Sequence, residues 1–296
     1  MPQEWDWVGQ STRQQPKVAW TFNADAPLRS LHLIRETGSI LLADRAGFIA
    51  KLDSHGNRLR VAQGFRKLTR LVGGLTAEAP VFIGFRDELR CLTPDFEPDW
   101  VRRFPHSIDA IAVDPYGRWL AIVLETGDGY YIGAENQRFG DFTAKPRPRF
   151  VVVSGREFEV TVTARLGSVE RFDADGELLW HTERYGNLGD ITTDGISPRI
   201  WLAAFNHGVV SLDRDGEPGP TFLVNGSPSR VAVSYDGRFI AVATQERSLY
   251  WLNNRGELLW ATSVPDDIHF LDVDSLGHWL LCGFASGRIV RIDWPR

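Results

Sequence analysis

A period of 40 residues runs through almost the whole sequence. Written in rows of 40 from Lys17, the chain fills seven rows without an insertion, and residues 1–16 stand outside them. One column is apolar in every row: Leu52, Leu92, Ile132, Phe172, Leu212, Leu252 and Ile292. The columns that begin at Leu31 and Leu42 are apolar in the same way. Such a repeat predicts a series of like structural units, each burying its apolar side chains against its neighbours.

Each row contains four short segments with the composition of β-strands. Segments at 230–234, 239–244, 248–252 and 257–262 are rich in β-branched and aromatic residues, and turn signals separate them. No segment of useful length shows the 3.6-residue period of a helix. Four strands per 40 residues, seven times over, predict an all-β fold: a seven-bladed β-propeller with four-stranded blades of 40 residues.

The two ends of the repeat predict how the propeller closes. Residues 17–22 occupy the columns of the fourth strands at 177–182 and 257–262, whereas 266–293 supplies only three strands. The N-terminal strand should therefore complete the last blade, which removes the unpaired sheet edges. The predicted organisation is an N-terminal tail, 1–16, and one seven-bladed propeller, 17–296.

Two kinds of motif resemble known propeller classes. Residues 173–180 (DADGELLW) and 253–260 (NNRGELLW) are similar to the Asp-x-x-Gly-x-x-x-Trp phrase of quinoprotein (PQQ)-like propellers, where the outer-strand Trp packs on the neighbouring blade. Residues 113–123, 233–244 and 273–283 instead look like the first hairpin of WD40 repeats. The resemblance covers 17–296 and implies the propeller architecture.

The sequence departs from both classes in ways that bear on function. No blade ends in the Trp-Asp pair of WD40 repeats, and the nearest match, 292–294, has the order reversed. The quinoprotein (PQQ) dehydrogenases that the sequence resembles are longer chains and have two adjacent cysteines in the cofactor site. Here Cys91 and Cys282 lie far apart in the sequence. We therefore predict no cofactor and two separate buried thiols.

Composition and charge exclude several other classes. The chain has 33 basic and 38 acidic residues, a net charge of −5, so no overall positive field draws it to nucleic acid or to an anionic membrane. The first 16 residues contain no apolar core of a signal peptide, and no run approaches the ~20 apolar residues of a membrane span. These features predict a bacterial-type cytoplasmic protein with no membrane contact.

Catalytic motifs are absent, and the seven histidines lack metal-ligand spacing, so we predict no catalytic or metal residues. An alternative is a metal-dependent, lactonase-like hydrolase or a lyase with its site at the mouth of the central channel. Acidic residues expected near that mouth are Asp44, Asp109, Glu125, Asp190, Asp266 and Asp267. Basic residues share their columns, which indicates ion-paired loops more than a metal cage.

Three loops that lead into blades give the strongest sign of a binding surface. Segments 63–70, 102–108 and 143–150 hold eight Lys or Arg residues and no acid, although the chain is net negative. The candidate partner-binding residues are Arg66, Lys67, Arg70, Arg102, Arg103, His106, Lys145, Arg147 and Arg149. Such a patch fits an acidic segment of a partner protein. Few aromatic residues accompany it, which argues against nucleic acid.

The tail supplies two more candidates. Trp5 and Trp7 lie in an otherwise polar segment where no blade core requires them, and exposed tryptophans often anchor interfaces. Packing on the propeller itself is the other interpretation.

Together these features predict a non-catalytic scaffold or sensor subunit that binds another protein through its loop face. A small ligand in the channel is a third interpretation, which sequence does not separate from the first.

Overall fold

The computed structural model describes Val8 and residues 15–154, 158–164 and 166–295. In this part of the chain, 28 strands form seven four-stranded antiparallel sheets, which confirms the predicted all-β, seven-bladed β-propeller. Among the same residues, no helix has the length and apolarity needed to cross a membrane. The chain divides into two compact units: a four-blade unit, 29–186, and a three-blade unit, 187–296 with 1–28.

The strands are numbered in chain order from β1 (Lys17–Asn23), which belongs to the last blade. The four-blade unit contains blade 1, with β2 (Leu28–Ile34), β3 (Ser39–Asp44), β4 (Ile49–Leu52) and β5 (Arg58–Ala62), and blade 2, with β6 (Arg70–Gly73), β7 (Val81–Gly84), β8 (Glu88–Leu92) and β9 (Pro98–Arg103). It continues with blade 3, with β10 (Ile108–Val113), β11 (Trp119–Leu124), β12 (Asp128–Gly133) and β13 (Arg138–Thr143), and blade 4, with β14 (Pro148–Val153), β15 (Val160–Ala164), β16 (Val169–Phe172) and β17 (Leu178–Thr182).

The three-blade unit contains blade 5, with β18 (Leu188–Thr193), β19 (Ile200–Ala204), β20 (Gly208–Leu212) and β21 (Pro218–Phe222), and blade 6, with β22 (Pro228–Val233), β23 (Phe239–Thr244), β24 (Ser248–Asn253) and β25 (Leu258–Ser263). Blade 7 has β26 (Ile268–Val273), β27 (Trp279–Phe284) and β28 (Arg288–Asp293), and its fourth strand is β1. The strand β1 pairs antiparallel with β28, from Lys17 opposite Asp293 to Asn23 opposite Arg288. This confirms that the N-terminal strand completes the last blade.

The apolar columns of the repeat form the cores between sheets. Members of the Leu52 column, such as Ile132 and Leu212, are fully buried on third strands. The Leu42 column is buried on second strands, where it ends in Cys282. Both cysteines are buried free thiols, as predicted. Burial, together with the nearby Asp99 carboxylate, raises the pKa of the Cys91 thiol to about 12.

A repeated turn joins the third and fourth strands of the blades. In blade 5, Asp213 Oδ1 accepts the backbone N–H groups of Asp215 and Glu217 at 3.0 and 2.9 Å. Asn253 makes the equivalent pair of bonds in blade 6, both at 3.0 Å. The polar column that follows the Leu52 column therefore closes turns, because a short side-chain oxygen satisfies two backbone donors that the turn leaves free.

We expect Asp213→Ala to lower the free energy of unfolding by about 1–2 kcal/mol, because two backbone donors lose their acceptor. Asp213→Asn is the matched control, since Asn253 shows that an amide oxygen makes the same bonds. Urea titration should place the asparagine variant within about 0.5 kcal/mol of the wild type. Equal losses for both variants would contradict this account.

Candidate interaction surface

The predicted basic segments lie in three loops of the four-blade unit, each joining the fourth strand of one blade to the first strand of the next. Outside the strands they cover 63–69, 104–107 and 144–147. Each loop contacts a turn between second and third strands; for example, the Arg147 N–H donates to the Glu125 carbonyl at 2.8 Å. The loops and these turns therefore lie at one end of the strands in this unit.

Glycines in the turns let two of the loops approach closely. The Phe65 N–H donates to the Gly47 carbonyl at 3.1 Å, and the Ala144 N–H donates to the Gly127 carbonyl at 2.9 Å. A Cβ on Gly47 would lie 2.6 Å from the Arg66 backbone nitrogen, and one on Gly127 would lie 2.1 Å from the Ala144 carbonyl oxygen. The two turns thus hold the loop backbones in place, which orients the side chains that follow.

Arg70 is turned away from the loops and toward backbone carbonyls. Its Nε donates to the Asp109 carbonyl at 3.2 Å, and its Nη2 donates to the Arg149 carbonyl at 3.3 Å. It thereby ties the first strands of blades 2, 3 and 4 together. Arg149 itself is half-buried, and its guanidinium lies 5.1 Å from the centroid of the Phe150 ring. The side chains of Arg70 and Arg149 thus both make contacts within the four-blade unit.

Arg102 and Arg103 also have partners. Arg102 Nε donates to Asn136 Oδ1 at 2.6 Å, and a second guanidinium nitrogen donates to the Asn136 carbonyl. Arg103 Nε lies 3.2 Å from Glu88 Oε2, although the arginine side chain is 80% exposed. The hydrogen bond from Arg90, and then the one from Arg103, hold the pKa of the Glu88 carboxyl below its usual value. Arg103 is therefore partly neutralised.

Lys145 is paired as well. Its Nζ binds Glu183 Oε1, and its backbone N–H donates to Glu170 Oε2 at 2.8 Å. The Glu183 carboxylate raises the pKa of the Lys145 amine above its usual value, mainly through the hydrogen bond between them. Like Arg103, this lysine is partly neutralised by a carboxylate.

Arg66, Lys67, His106 and Arg147 remain exposed, and none of the four forms an ion pair within the described residues. Lys67 and Arg147 occupy the same column of the repeat, 80 residues apart. Both have left-handed backbone conformations, with φ of 67° and 60°. A residue with a Cβ costs about 1 kcal/mol there compared with glycine, so this choice of side chain is not explained by local stability.

Two further cations were not among the sequence candidates. Arg45 and Arg86 lie in the second-to-third-strand turns beside the loops, and both are exposed. Their sequence signal is the position of each turn directly after a second strand in the repeat. We call the set Arg45, Arg66, Lys67, Arg86, His106 and Arg147 the basic loop surface. The exposed acids Asp87, in the turn of Arg86, and Glu125, in the corresponding turn of blade 3, reduce its net charge.

Three acids of the alternative, enzymatic interpretation, Asp44, Asp266 and Asp267, are engaged in local structure. Asp44 is buried, and its Oδ1 accepts the N–H groups of Ala46 and Phe48 at 2.9 and 3.0 Å. In the three-blade unit, Asp266 accepts the Asp267 N–H at 2.8 Å, and Asp267 binds Arg247 at 2.7 Å. Among the described residues, no three His, Cys, Asp or Glu side chains come together as a metal site would require.

Asp190 and Arg230 lie on neighbouring first strands of the three-blade unit. Asp190 Oδ2 accepts the Val231 N–H at 3.3 Å. Arg230 donates from Nε to the His269 carbonyl at 2.5 Å and from Nη1 to the Gly189 carbonyl at 3.2 Å. Arg230 lies four rows after Arg70 in the repeat and makes the same kind of carbonyl contacts. One arginine in each unit thus ties three first strands together.

The tail candidates Trp5 and Trp7 lie outside the described residues. Val8 follows them and is 4% exposed. It belongs to a buried cluster of the three-blade unit that includes Trp251, Trp260 and Trp294. The chain therefore contacts the propeller core at Val8.

The comparisons with known proteins support the fold. No protein-family model matches this sequence, and the search of curated proteins finds no match. Among the many solved structures that resemble it is the β-propeller domain of Cps50 (Swd1) from Myceliophteria thermophila, with a TM-score of 0.81 and 13% sequence identity. The match covers 94% of this chain and 99% of that domain. At this identity the likeness shows the β-propeller fold and does not separate the WD40-like class from the PQQ-like class.

Proposed function

We propose that this chain is a non-catalytic β-propeller scaffold that binds an acidic segment of a partner protein through the basic loop surface. The observation that carries the proposal is the pair of exposed, left-handed cations Lys67 and Arg147. Non-glycine residues in strained conformations cluster at binding sites, where their side chains serve a purpose other than stability. The repeat offers glycine readily, since Gly47 and Gly127 stand in the adjacent turns.

The surface has the rigidity that such binding needs. The loops are short and hydrogen-bonded to the turns beneath them, so little conformational entropy is lost when a partner binds. Charge would steer the approach of an acidic segment, and added salt would weaken it. Arg66 and Arg86 are also exposed and add positive charge to the loops and turns of the four-blade unit.

We expect the double variant Lys67→Gly, Arg147→Gly to lose its partner while keeping its stability. Relief of the left-handed strain, about 1 kcal/mol per site, offsets the extra chain entropy of glycine. Affinity purification of the tagged wild type from its native cells should recover a stoichiometric partner, with less recovered at high salt. The double variant should recover at most about one tenth of that amount, which corresponds to a loss of about 1.4 kcal/mol in binding free energy.

Arg247→Gly is the matched control. Arg247 is also a left-handed, exposed arginine, with φ of 58°, but it lies in the three-blade unit and is paired with Asp267. This variant should recover the partner as the wild type does. A partner that still binds the double glycine variant, or one that is lost equally from the control, would show that the basic loop surface is not the docking site.

A further inference from the structure

A groove lies on the four-blade unit where the fourth strand of blade 2 meets the third-to-fourth-strand turn of blade 3. It is open to solvent and has a volume of about 590 Å³. Its lining includes Pro80, Pro94, Asp99, Trp100, Ala134 and Glu135. None of these residues belongs to the basic loop surface, so the groove is a separate feature of the molecule.

The indole of Trp100 forms a rigid wall of the groove. Its Nε1 donates to the Ala134 carbonyl at 2.6 Å, and its ring packs on the buried Phe82 with centroids 6.0 Å apart. Because both contacts fix the ring, Trp100 presents its remaining surface to the groove in one orientation. The residue is half-buried and keeps part of that surface accessible.

The repeat shows what the groove lacks. Four rows after Trp100 and Ala134 stand Trp260 and Trp294. There the two indole rings meet edge to face with centroids 5.8 Å apart, and Trp260 is only 1% exposed. Ala134 therefore leaves open, next to Trp100, a place that an aromatic ring fills in the three-blade unit. The groove has room for one flat side chain.

The negative charge of the groove favours a flat side chain that is positively charged. Asp99 and Glu135 are both exposed, and neither has a cationic partner in the part of the chain that the structure describes. The nearby Arg102 guanidinium is held by Asn136 through two hydrogen bonds. Two uncompensated carboxylates beside an indole face favour a cation that stacks on the ring. Among protein side chains, the planar guanidinium of arginine fits this combination best.

We propose that the groove binds an arginine side chain from an extended segment of a partner protein, stacked on Trp100 and paired with Asp99 and Glu135. This site is independent of the basic loop surface and prefers the opposite charge. The chain would then hold two segments of contrasting charge, one at the loop end of the four-blade unit and one in the groove.

The test uses fluorescein-labelled peptides, Gly-Ser-Pro-Arg-Pro-Ser-Gly and its versions with Gln or Lys in place of Arg, and measures fluorescence anisotropy with the full-length protein. The Arg peptide should bind at least about tenfold tighter than the Gln peptide, with Lys between them. The double variant Asp99→Asn, Glu135→Gln should weaken the Arg peptide at least about tenfold. Glu97→Gln is the matched control, since Glu97 is an exposed acid of the preceding turn and does not line the groove.

Ala134→Trp tests the shape of the groove without removing charge. The Trp294 precedent indicates that an indole fits this place, so the variant should keep its melting temperature and lose the Arg peptide. A variant with Arg66, Lys67 and Arg147 all changed to Glu should bind it as the wild type does, which separates this site from the proposed function. Equal binding of the Arg and Gln peptides, no saturation up to about 1 mM, or an unaffected charge-removal double variant would overturn the proposal.

Discussion

Replacing Glu159 by alanine is expected to lower the free energy of unfolding by about 3–5 kcal/mol, the usual cost of stranding one partner of a buried ion pair. Glu159 and Arg171 face each other inside blade 4, with side-chain exposures of 4% and 1%. Arg171 Nε and Nη2 lie 2.8 and 2.5 Å from Glu159 Oε2. Without the carboxylate, the guanidinium would stay buried with its main counter-charge gone.

The repeat explains why this pair can be replaced. The same two columns hold Trp119 and Tyr131 in blade 3, with ring centroids 5.9 Å apart, and Phe239 and Trp251 in blade 6, with centroids 5.4 Å apart. Aromatic packing thus does in other blades what the ion pair does in blade 4. Replacing a buried ion pair by apolar residues of similar volume is often neutral or stabilising.

The double variant Glu159→Leu, Arg171→Met should therefore recover most of the stability that Glu159→Ala loses. Urea titrations of the wild type, the single variant and the double variant measure this directly. The loss in the single variant is a large part of the total stability of a typical domain, about 5–15 kcal/mol, so the double variant also serves as the folded reference. A single variant within about 1 kcal/mol of the wild type would contradict the buried-pair account.

The 40-residue columns predicted the fold because each column holds one backbone position seven times. The Leu52 column is buried in every blade, and the turn formers that follow it accept backbone N–H groups, as at Asp213. Because each position occurs seven times, its buried or turn-forming character is recognisable even where a single strand segment could also be assigned to another structure. The pairing of β1 with β28 followed from the same columns, since Lys17 is seven rows before the position that would follow residue 296.

The residues of the basic loop surface were harder to predict from sequence, because the direction of a long side chain depends on its neighbours in three dimensions. Arg70 and Arg102 have the same composition signal as Arg66, yet they donate to Asp109 and Asn136. These contacts join residues 39 and 34 positions apart, so each reaches from one blade to the next. The groove, in contrast, had a sequence signal: Ala134 stands in the column of Trp294. The sequence does not show that Trp294 packs against Trp260, and this contact is what gives the alanine at position 134 its structural consequence.

Removal of β1 is expected to lower the stability of the protein and to expose a sheet edge. We expect a chain that lacks residues 1–23 to lose at least about 3 kcal/mol of stability, because Val18, Trp20 and Phe22 are half-buried and each contributes about 1 kcal/mol. The deletion also leaves β28 without its partner strand. An unpaired strand edge invites association with other chains, so size-exclusion chromatography should show concentration-dependent oligomers.

A circular permutant separates the role of the strand from the role of its position in the chain. Joining residue 296 directly to residue 17 continues the rows of 40 and gives blade 7 the spacing that residues 256 and 257 have in blade 6. The permutant 24–296 followed by 17–23 has the same residues as a chain that lacks only 1–16. Both lack Val8, which packs in the cluster of the three-blade unit, so their comparison is free of that loss.

We expect the permutant to be monomeric and to approach the stability of the chain that lacks 1–16, because pairing with β28 supplies the same contacts from either end of the sequence. The hydrogen bonds from Lys17 opposite Asp293 to Asn23 opposite Arg288 depend on register and not on chain order. Thermal unfolding measures the melting temperatures of these chains, and size-exclusion chromatography measures their oligomeric states. If the chain lacking 1–23 melts at the temperature of the chain lacking 1–16 and stays monomeric, then β1 contributes little, and blade 7 is stable with the three strands β26, β27 and β28.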